Sequence, residues 1–296
     1  MHSNTAINRR NTLWALLPSL VVLALFFSAF AIFFYASVHT TANGGSSLGG
    51  GNLTFEHYAR YLASPSERSV LWSTLWISTK LTVASLLIGY PLAYVIVRSQ
   101  SATLRHFLML SLVVTFLSGT VTRAYAWLII LGNSGLINTV LRKIGIIDAP
   151  IRLVYNETGV FISLLHFVLP FFVLTMMAPL KNIPQALEDA AINLGATRWR
   201  SFVLVTLPLS VPGIIAASSL TFAVALSSFL FPLVLGGGRV RMAANAIYEH
   251  IFTRFDLPLA AAGATVFLVL ALFFVWLFGM VQSLVDYRHE AAQHKS

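Results

Sequence analysis

The chain is 296 residues long, 57% hydrophobic and only 10% charged, with a net charge of +9 and no cysteine. An ordinary soluble domain carries about 25% charged residues, and the apolar runs here reach the roughly 20 residues that cross a hydrocarbon layer. A soluble fold is therefore excluded, and the missing cysteine excludes disulfides, thiolate catalysis and cysteine-based metal sites. The pI near 10.2 and mean hydropathy of +0.79 point to lipid headgroups rather than nucleic acid, because the basic residues flank apolar runs and form no dense block with interleaved aromatics.

Arg9 and Arg10 precede the first apolar run, which gives a span over 13–38. Ala29-Phe30-Ala31 has the form of a signal-peptide cleavage site. The apolar run continues through Ile32-Phe33-Phe34-Tyr35, however, further than a signal core extends. Residues 39–68 open on the glycine-rich run 43–52, read as a flexible loop, and close on a short amphipathic helix in Leu53–Leu62 near the membrane surface. The second span, 69–97, contains Gly89-Tyr90-Pro91-Leu92-Ala93-Tyr94, where Pro91 predicts a kink or a packed, irregular turn. A basic loop from Arg98 to His106 leads to the third span, 107–131.

Between 132 and 158, Leu136, Ile137, Val140, Leu141 and Ile144 share one helical face, with Asn133 or Ser134 available as the cap. The fourth span is 159–180, bent at Pro170. The fifth is 211–235, after which Gly236-Gly237-Gly238 opens a polar stretch to Ala262. The sixth is 264–285. Six spans in one all-α, polytopic transmembrane domain put both termini on one side of the membrane. With the termini inside, nine arginines and lysines fall in cytoplasmic segments and eight in external ones, so charge alone does not orient the chain.

The segment 181–210, between the fourth and fifth spans, has its own design. Pro184 suits a first helical turn. Leu187, Ala190, Ala191 and Leu194 recur at i, i+3, i+4 and i+7, giving a narrow face of small and aliphatic side chains. Gly195 stands where a helix C-terminus favours a residue tolerant of positive φ. Thr197 can cap a second helix, which Pro208 and Pro212 bound. Two short helices meeting at a glycine turn are predicted.

Asp189-Ala190-Ala191, then Gly195, Val205 and Leu207-Pro208, at this spacing resembles the "EAA" loop of permease subunits in binding-protein-dependent ABC importers, with Asp189 in place of the usual Glu and Val205 in place of the usual Ile. Further segments resemble spermidine/putrescine-type permeases, and the B-type partner in particular: 53–58, 89–94, Arg123–Trp127, Gly135–Asn138, Leu169–Phe171, 236–238 and Ile247-Tyr248. Together they cover most of residues 50–285. The resemblance implies the type I ABC importer permease fold and a cytoplasmic loop docked on an ATPase. Leu187, Glu188, Asp189, Ala190, Ala191, Leu194, Gly195, Leu207 and Pro208 then form the coupling site. It also implies a homologous second permease, an ABC ATPase dimer, an external substrate-binding protein, cytoplasmic termini in a bacterial inner membrane, and alternating access. The implied solute is small and organic, a polyamine first and an opine- or aminophosphonate-like solute as the alternative.

No phosphate-binding loop occurs, so ATP hydrolysis belongs to another chain, and neither a metal nor a cofactor is called for. Gly132-Asn133-Ser134-Gly135 matches an intramembrane serine protease pattern with His166 as conceivable base, but reads better as a turn, and His166 as a hydrogen-bonded packing residue. A secondary transporter would call for ionisable groups at midplane, and the spans hold no Asp or Glu. Lys80 and Arg123 do lie within spans, where a charge facing lipid costs about 2.5–3.5 kcal/mol. Arg123, Tyr125, Trp127, Phe222 and Phe229 are the candidates for a substrate pathway. Lys80 and Arg123 fit poorly with a polycation, which keeps the anionic or zwitterionic solutes in view.

Overall fold

The computed structural model describes residues 9–40 and 51–293. The predicted flexible loop falls mostly on 41–50, outside the described residues, as do the side chains of Arg9 and Arg10. Among the described residues there is no strand, only an isolated bridge between His39 and Leu53. In chain order the helices are α1 (Arg9–Val38), α2 (Glu56–Ala63), α3 (Pro65–Arg98), α4 (Ala102–Leu117), α5 (Thr120–Leu131), α6 (Leu136–Lys143) and α7 (Glu157–Asn182). There follow α8 (Gln185–Asn193), α9 (Arg198–Ser201), a π-helical turn (Phe202–Thr206), α10 (Leu207–Leu209), α11 (Val211–Leu226), α12 (Leu230–Leu235), α13 (Ala243–Phe252) and α14 (Leu257–Gln293). Among the described residues, five helical stretches are long and apolar enough to cross a membrane. A sixth arises when the pair Arg198–Leu209 and Val211–Leu226, bent by 65°, is taken as one span.

Two predicted spans are broken. Residues 107–131 form α4 and α5 rather than one helix, because Ser118 and Gly119 take extended backbone angles. The Arg123 guanidinium fills the end of α4: it donates to the Thr115 carbonyl, to the Ser118 carbonyl at 2.6 Å and to Ser118 Oγ at 3.0 Å. Terminal carbonyls of a helix have no intrahelical partner, and a cation there is favourable, so the break persists in apolar surroundings. Residues 211–235 divide into α11 and α12. The Ser227 and Ser228 hydroxyls return to the Val224 carbonyl, each at 3.1 Å, and the Phe229 carbonyl accepts from Asn245 Nδ2 at 2.8 Å. Such back-bonding competes with the helical ladder. Pro91 and Pro170, by contrast, lie inside α3 and α7 without interrupting them.

The two predicted amphipathic helices are α2 and α6. Neither Asn133 nor Ser134 caps α6; Gly135 precedes it and supplies no side-chain bond. Asn138 holds this region instead. Fully buried, it donates to the Gly132 and Ile151 carbonyls, both at 3.0 Å, and accepts from the Ile151 N–H at 2.8 Å.

The chain forms two compact units. In the smaller (1–65 with 247–266), Ser37 Oγ and Tyr58 OH lie 2.6 Å apart and Arg60 pairs with Asp256. The α1 side chains from Leu17 to Tyr35 remain exposed. In the larger (66–246 with 267–296), α7 is the central post. Its Val160, Leu164 and Val168 pack with Ile77, Leu81, Leu131 and Phe231 in one core cluster. Its Phe172, Val173, Met176 and Leu180 pack with Tyr90, Ala93, Ile96 and Ala217 in a second. Lipid tails are as apolar as leucine, so helices in a bilayer associate through close packing at small residues. Gly89 provides this: a Cβ there would fall 2.7 Å from the Phe172 ring.

Candidate functional site

Helix α8 follows Pro184 and ends as its sequence predicts. Gly195 has φ +91°, its N–H donates to the Ile192 carbonyl at 2.9 Å, and the Ala196 N–H donates to the Ala191 carbonyl at 3.0 Å. This pair of bonds is the Schellman closure, which satisfies carbonyls the helix itself leaves open. Thr197 then caps α9, its Oγ1 accepting from the Arg200 N–H at 3.3 Å. No residue of α8 is buried: Leu187, Asp189, Ala190 and Leu194 face outward, Leu194 being 90% exposed, and Ala191 is half-buried. Leu207 packs against the second core cluster, while Pro208 lies exposed near the start of α10.

Glu188 points the other way. Its side chain is only 12% exposed and that of Arg98, at the end of α3, only 13%. The carboxylate accepts from Arg98 Nε at 3.0 Å, from Tyr94 OH at 3.1 Å and from Thr206 Oγ1 at 2.8 Å. Arg98 also donates to the Ile183 carbonyl at 2.9 Å, and Ser201 Oγ to the Glu188 carbonyl at 3.2 Å. A carboxylate offers about four acceptor sites, so three are occupied here, from two separate elements. Four residues back along α3 from Tyr94, the Tyr90 hydroxyl lies 2.8 Å from Ser210 Oγ, at the 65° bend. Beside this anchor opens a cleft of about 840 Å³, lined among others by Leu87, Asp189, Ile192, Arg198 and Trp199. The structure thus brings the Gly89–Tyr94 segment and the loop 181–210 into direct contact.

The chain matches, over residues 4–287, the family described as "Binding-protein-dependent transport system inner membrane component". It belongs to that family. The spermidine/putrescine transport system permease protein PotB of Haemophilus influenzae is 32% identical over 263 residues, 88% of this chain and 87% of that one. PotB of Escherichia coli K12 is 31% identical over 209 residues, 71% and 75% of the two chains. Among solved structures, a bacterial ABC transporter involved in the import of the acidic polysaccharide alginate superposes with a TM-score of 0.76 at 21% identity, covering 94% of this chain and 96% of that one. The methionine ABC transporter MetNI gives 0.58 at 15% identity, over 75% and 99%. The fold is that of ABC importer permeases, and the chain is a multi-pass permease of the inner membrane, not itself an enzyme.

The permease does not gather its predicted pathway residues into one lining. Arg123 is buried at the end of α4, with the Phe167 ring 5.3 Å from its guanidinium carbon. Trp127 Nε1 donates to His166 Nδ1 at 3.2 Å, which makes His166 the packing residue expected. Tyr125 is exposed on the same helix. Phe222 is buried, its ring 5.2 Å from that of Phe274, and Phe229 stands at the break before α12. Lys80 pairs with Glu157 at the start of α7 and lies over Trp76. Gly132–Gly135 is a turn, closed by the Gly135 N–H on the Gly132 carbonyl at 2.8 Å.

The sequence reading missed Tyr90, Tyr94, Arg98, Thr206 and Ser210. A signal was present: Tyr90, Tyr94 and Arg98 recur at i, i+4 and i+8, a polar row on one face of an apolar span.

Proposed function

We propose that the permease passes a polyamine across the inner membrane, driven by a separate ABC ATPase dimer that docks on α8. In this reading a homologous second permease completes the pathway, and a substrate-binding protein delivers the solute from outside. The loop 181–210 and both termini are cytoplasmic. The observation that carries the coupling role is the form of α8: a short helix that buries none of its own residues, presents Leu187, Ala190 and Leu194 outward, and is closed by a left-handed glycine. The polyamine follows from the names of the two relatives at 31–32% identity. It gains support from the engagement of Lys80 by Glu157 and of Arg123 by the α4 carbonyls, since both cations have partners within the chain. Their awkwardness for a polycation is thereby reduced.

The test is uptake into proteoliposomes holding the whole importer, with labelled spermidine, an opine and an aminophosphonate offered in parallel. Binding-protein- and ATP-dependent uptake of spermidine is expected. Uptake of the opine or the aminophosphonate, with spermidine excluded, would overturn the substrate assignment.

A further inference from the structure

We propose that Glu188 is a strut rather than a docking residue. With Arg98, Tyr94 and Thr206, it makes the coupling helix and the inner end of α3 move as one body. The proposal rests on the coupling role of α8 argued above and assigns the route by which motion leaves that helix.

Helix α8 has nine residues and buries none of them, so it has no hydrophobic seat. A helix this short is marginal by itself in water. Its packing partners are α9 and the π-helical turn, both members of the same loop. Side-chain bonds run from the loop to α3. Arg98 and Tyr94 hold the Glu188 carboxylate, Arg98 holds the Ile183 carbonyl, and Tyr90 meets Ser210. The three α3 residues form rungs over about 12 Å of helix, at about 1.5 Å per residue. Thr206 reaches the same carboxylate from within the π-helical turn. The ties to α3 thus hold the loop along the arm that leads into the 65° bend, up to Ser210 at its vertex. Gly89, one residue before Tyr90, sits directly against Phe172, so a shift of α3 is handed on to the α7 core. Charge-assisted bonds within a partly desolvated site are short, directional and stronger than neutral ones, which suits a load-transmitting joint.

A docking residue and a strut give different phenotypes in the assembled importer, purified and reconstituted with its binding protein. Glu188→Gln and Arg98→Gln should retain the ATPase at wild-type stoichiometry and continue to hydrolyse ATP. Solute moved per ATP should fall about tenfold or more, from loss of the ion pair with the hydrogen-bonding shape largely kept. The exchange Arg98→Glu with Glu188→Arg should recover part of the transport per ATP lost in the single variants, because the Tyr94 and Thr206 hydroxyls can accept as well as donate, while a carboxylate at 98 forgoes the bond to the Ile183 carbonyl. Release of the ATPase by Glu188→Gln would make Glu188 a docking residue and overturn the proposal, as would an unchanged ratio in both single variants. Should the charged variants fail to accumulate, Tyr94→Phe and Thr206→Val decide. Each removes one rung only, and a wild-type ratio in both would equally overturn the strut. A wild-type complex that carries no ATPase at all would strike the coupling reading itself, which keeps the two failures apart.

Discussion

Gly195 gives the sharpest local prediction. Its φ of +91° is one that side-chain-bearing residues adopt at a cost, and a Cβ built there meets nothing within 4 Å. The penalty for replacing it is therefore conformational and not steric. Alanine should cost about 1–2 kcal/mol, the usual penalty of a Cβ in left-handed backbone. Valine should lie towards the upper end of the 1–3 kcal/mol range of strained backbone, since branching at Cβ resists this region. Asparagine, which visits left-handed backbone more readily, should cost least. A loss of about 1–2 kcal/mol lowers the closed-to-open ratio of the turn by about 5- to 30-fold. Without that turn the bonds from Gly195 and Ala196 back to Ile192 and Ala191 open, and α8 loses its end. The assay is ATPase retention and solute uptake in reconstituted complexes carrying Gly195→Asn, Gly195→Ala and Gly195→Val. Activity should fall in that order, with membrane insertion unaffected. Wild-type behaviour of Gly195→Val, or a loss in Gly195→Ala deeper than in Gly195→Val, would refute the reasoning from φ.

Arg123→Leu removes the cation from the end of α4, leaving the Ser118 carbonyl without its guanidinium partner and the Thr115 carbonyl with only the Ser118 hydroxyl. It should cost about 1.5–3 kcal/mol of stability, the worth of a hydrogen bond to a charged group, read as an earlier melt in detergent together with reduced transport. Arg123→Lys should fall between Leu and wild type, and unchanged melting in Arg123→Leu would return Arg123 to the bilayer surface. Asp189 faces outward on α8, so Asp189→Glu should be mild and Asp189→Lys severe for ATPase retention; equal retention by both would remove its charge from the contact. In this cysteine-free chain, Asn193→Cys should react only with reagents that reach the cytoplasmic side, and labelling from outside sealed cells would end the topology.

The loop 181–210 was legible because its rules are local. A Schellman turn and a Thr cap are each set by residues within one or two helical turns, and Gly195 and Thr197 carry them in the sequence itself. The break between α4 and α5 was not legible. Two residues, Ser118 and Gly119, barely alter hydropathy averaged over a span, and what stabilises the break is a guanidinium five residues further on. Likewise Glu188 and Asp189 are both acidic neighbours at the same helix. Successive residues on a helix point about 100° apart, and which of them turns inward depends on Arg98, ninety positions earlier. Lys80 found its partner in Glu157, seventy-seven positions away. Long-range pairing of this kind is invisible to periodicity, and it accounts for most of what the sequence left open.

The proposed seat of the ATPase is the outward face of α8. Ala190 is the position at which to test it, because it is exposed on α8. Ala190→Trp should overpack a fitted contact, at a typical cost of about 1–3 kcal/mol, while leaving insertion and the Glu188 anchor in place. The measurement is co-purification of the ATPase with the variant, alongside substrate-stimulated hydrolysis in proteoliposomes. The ATPase should be lost, or hydrolysis should no longer respond to substrate. Full co-purification with undiminished, substrate-stimulated transport would contradict it.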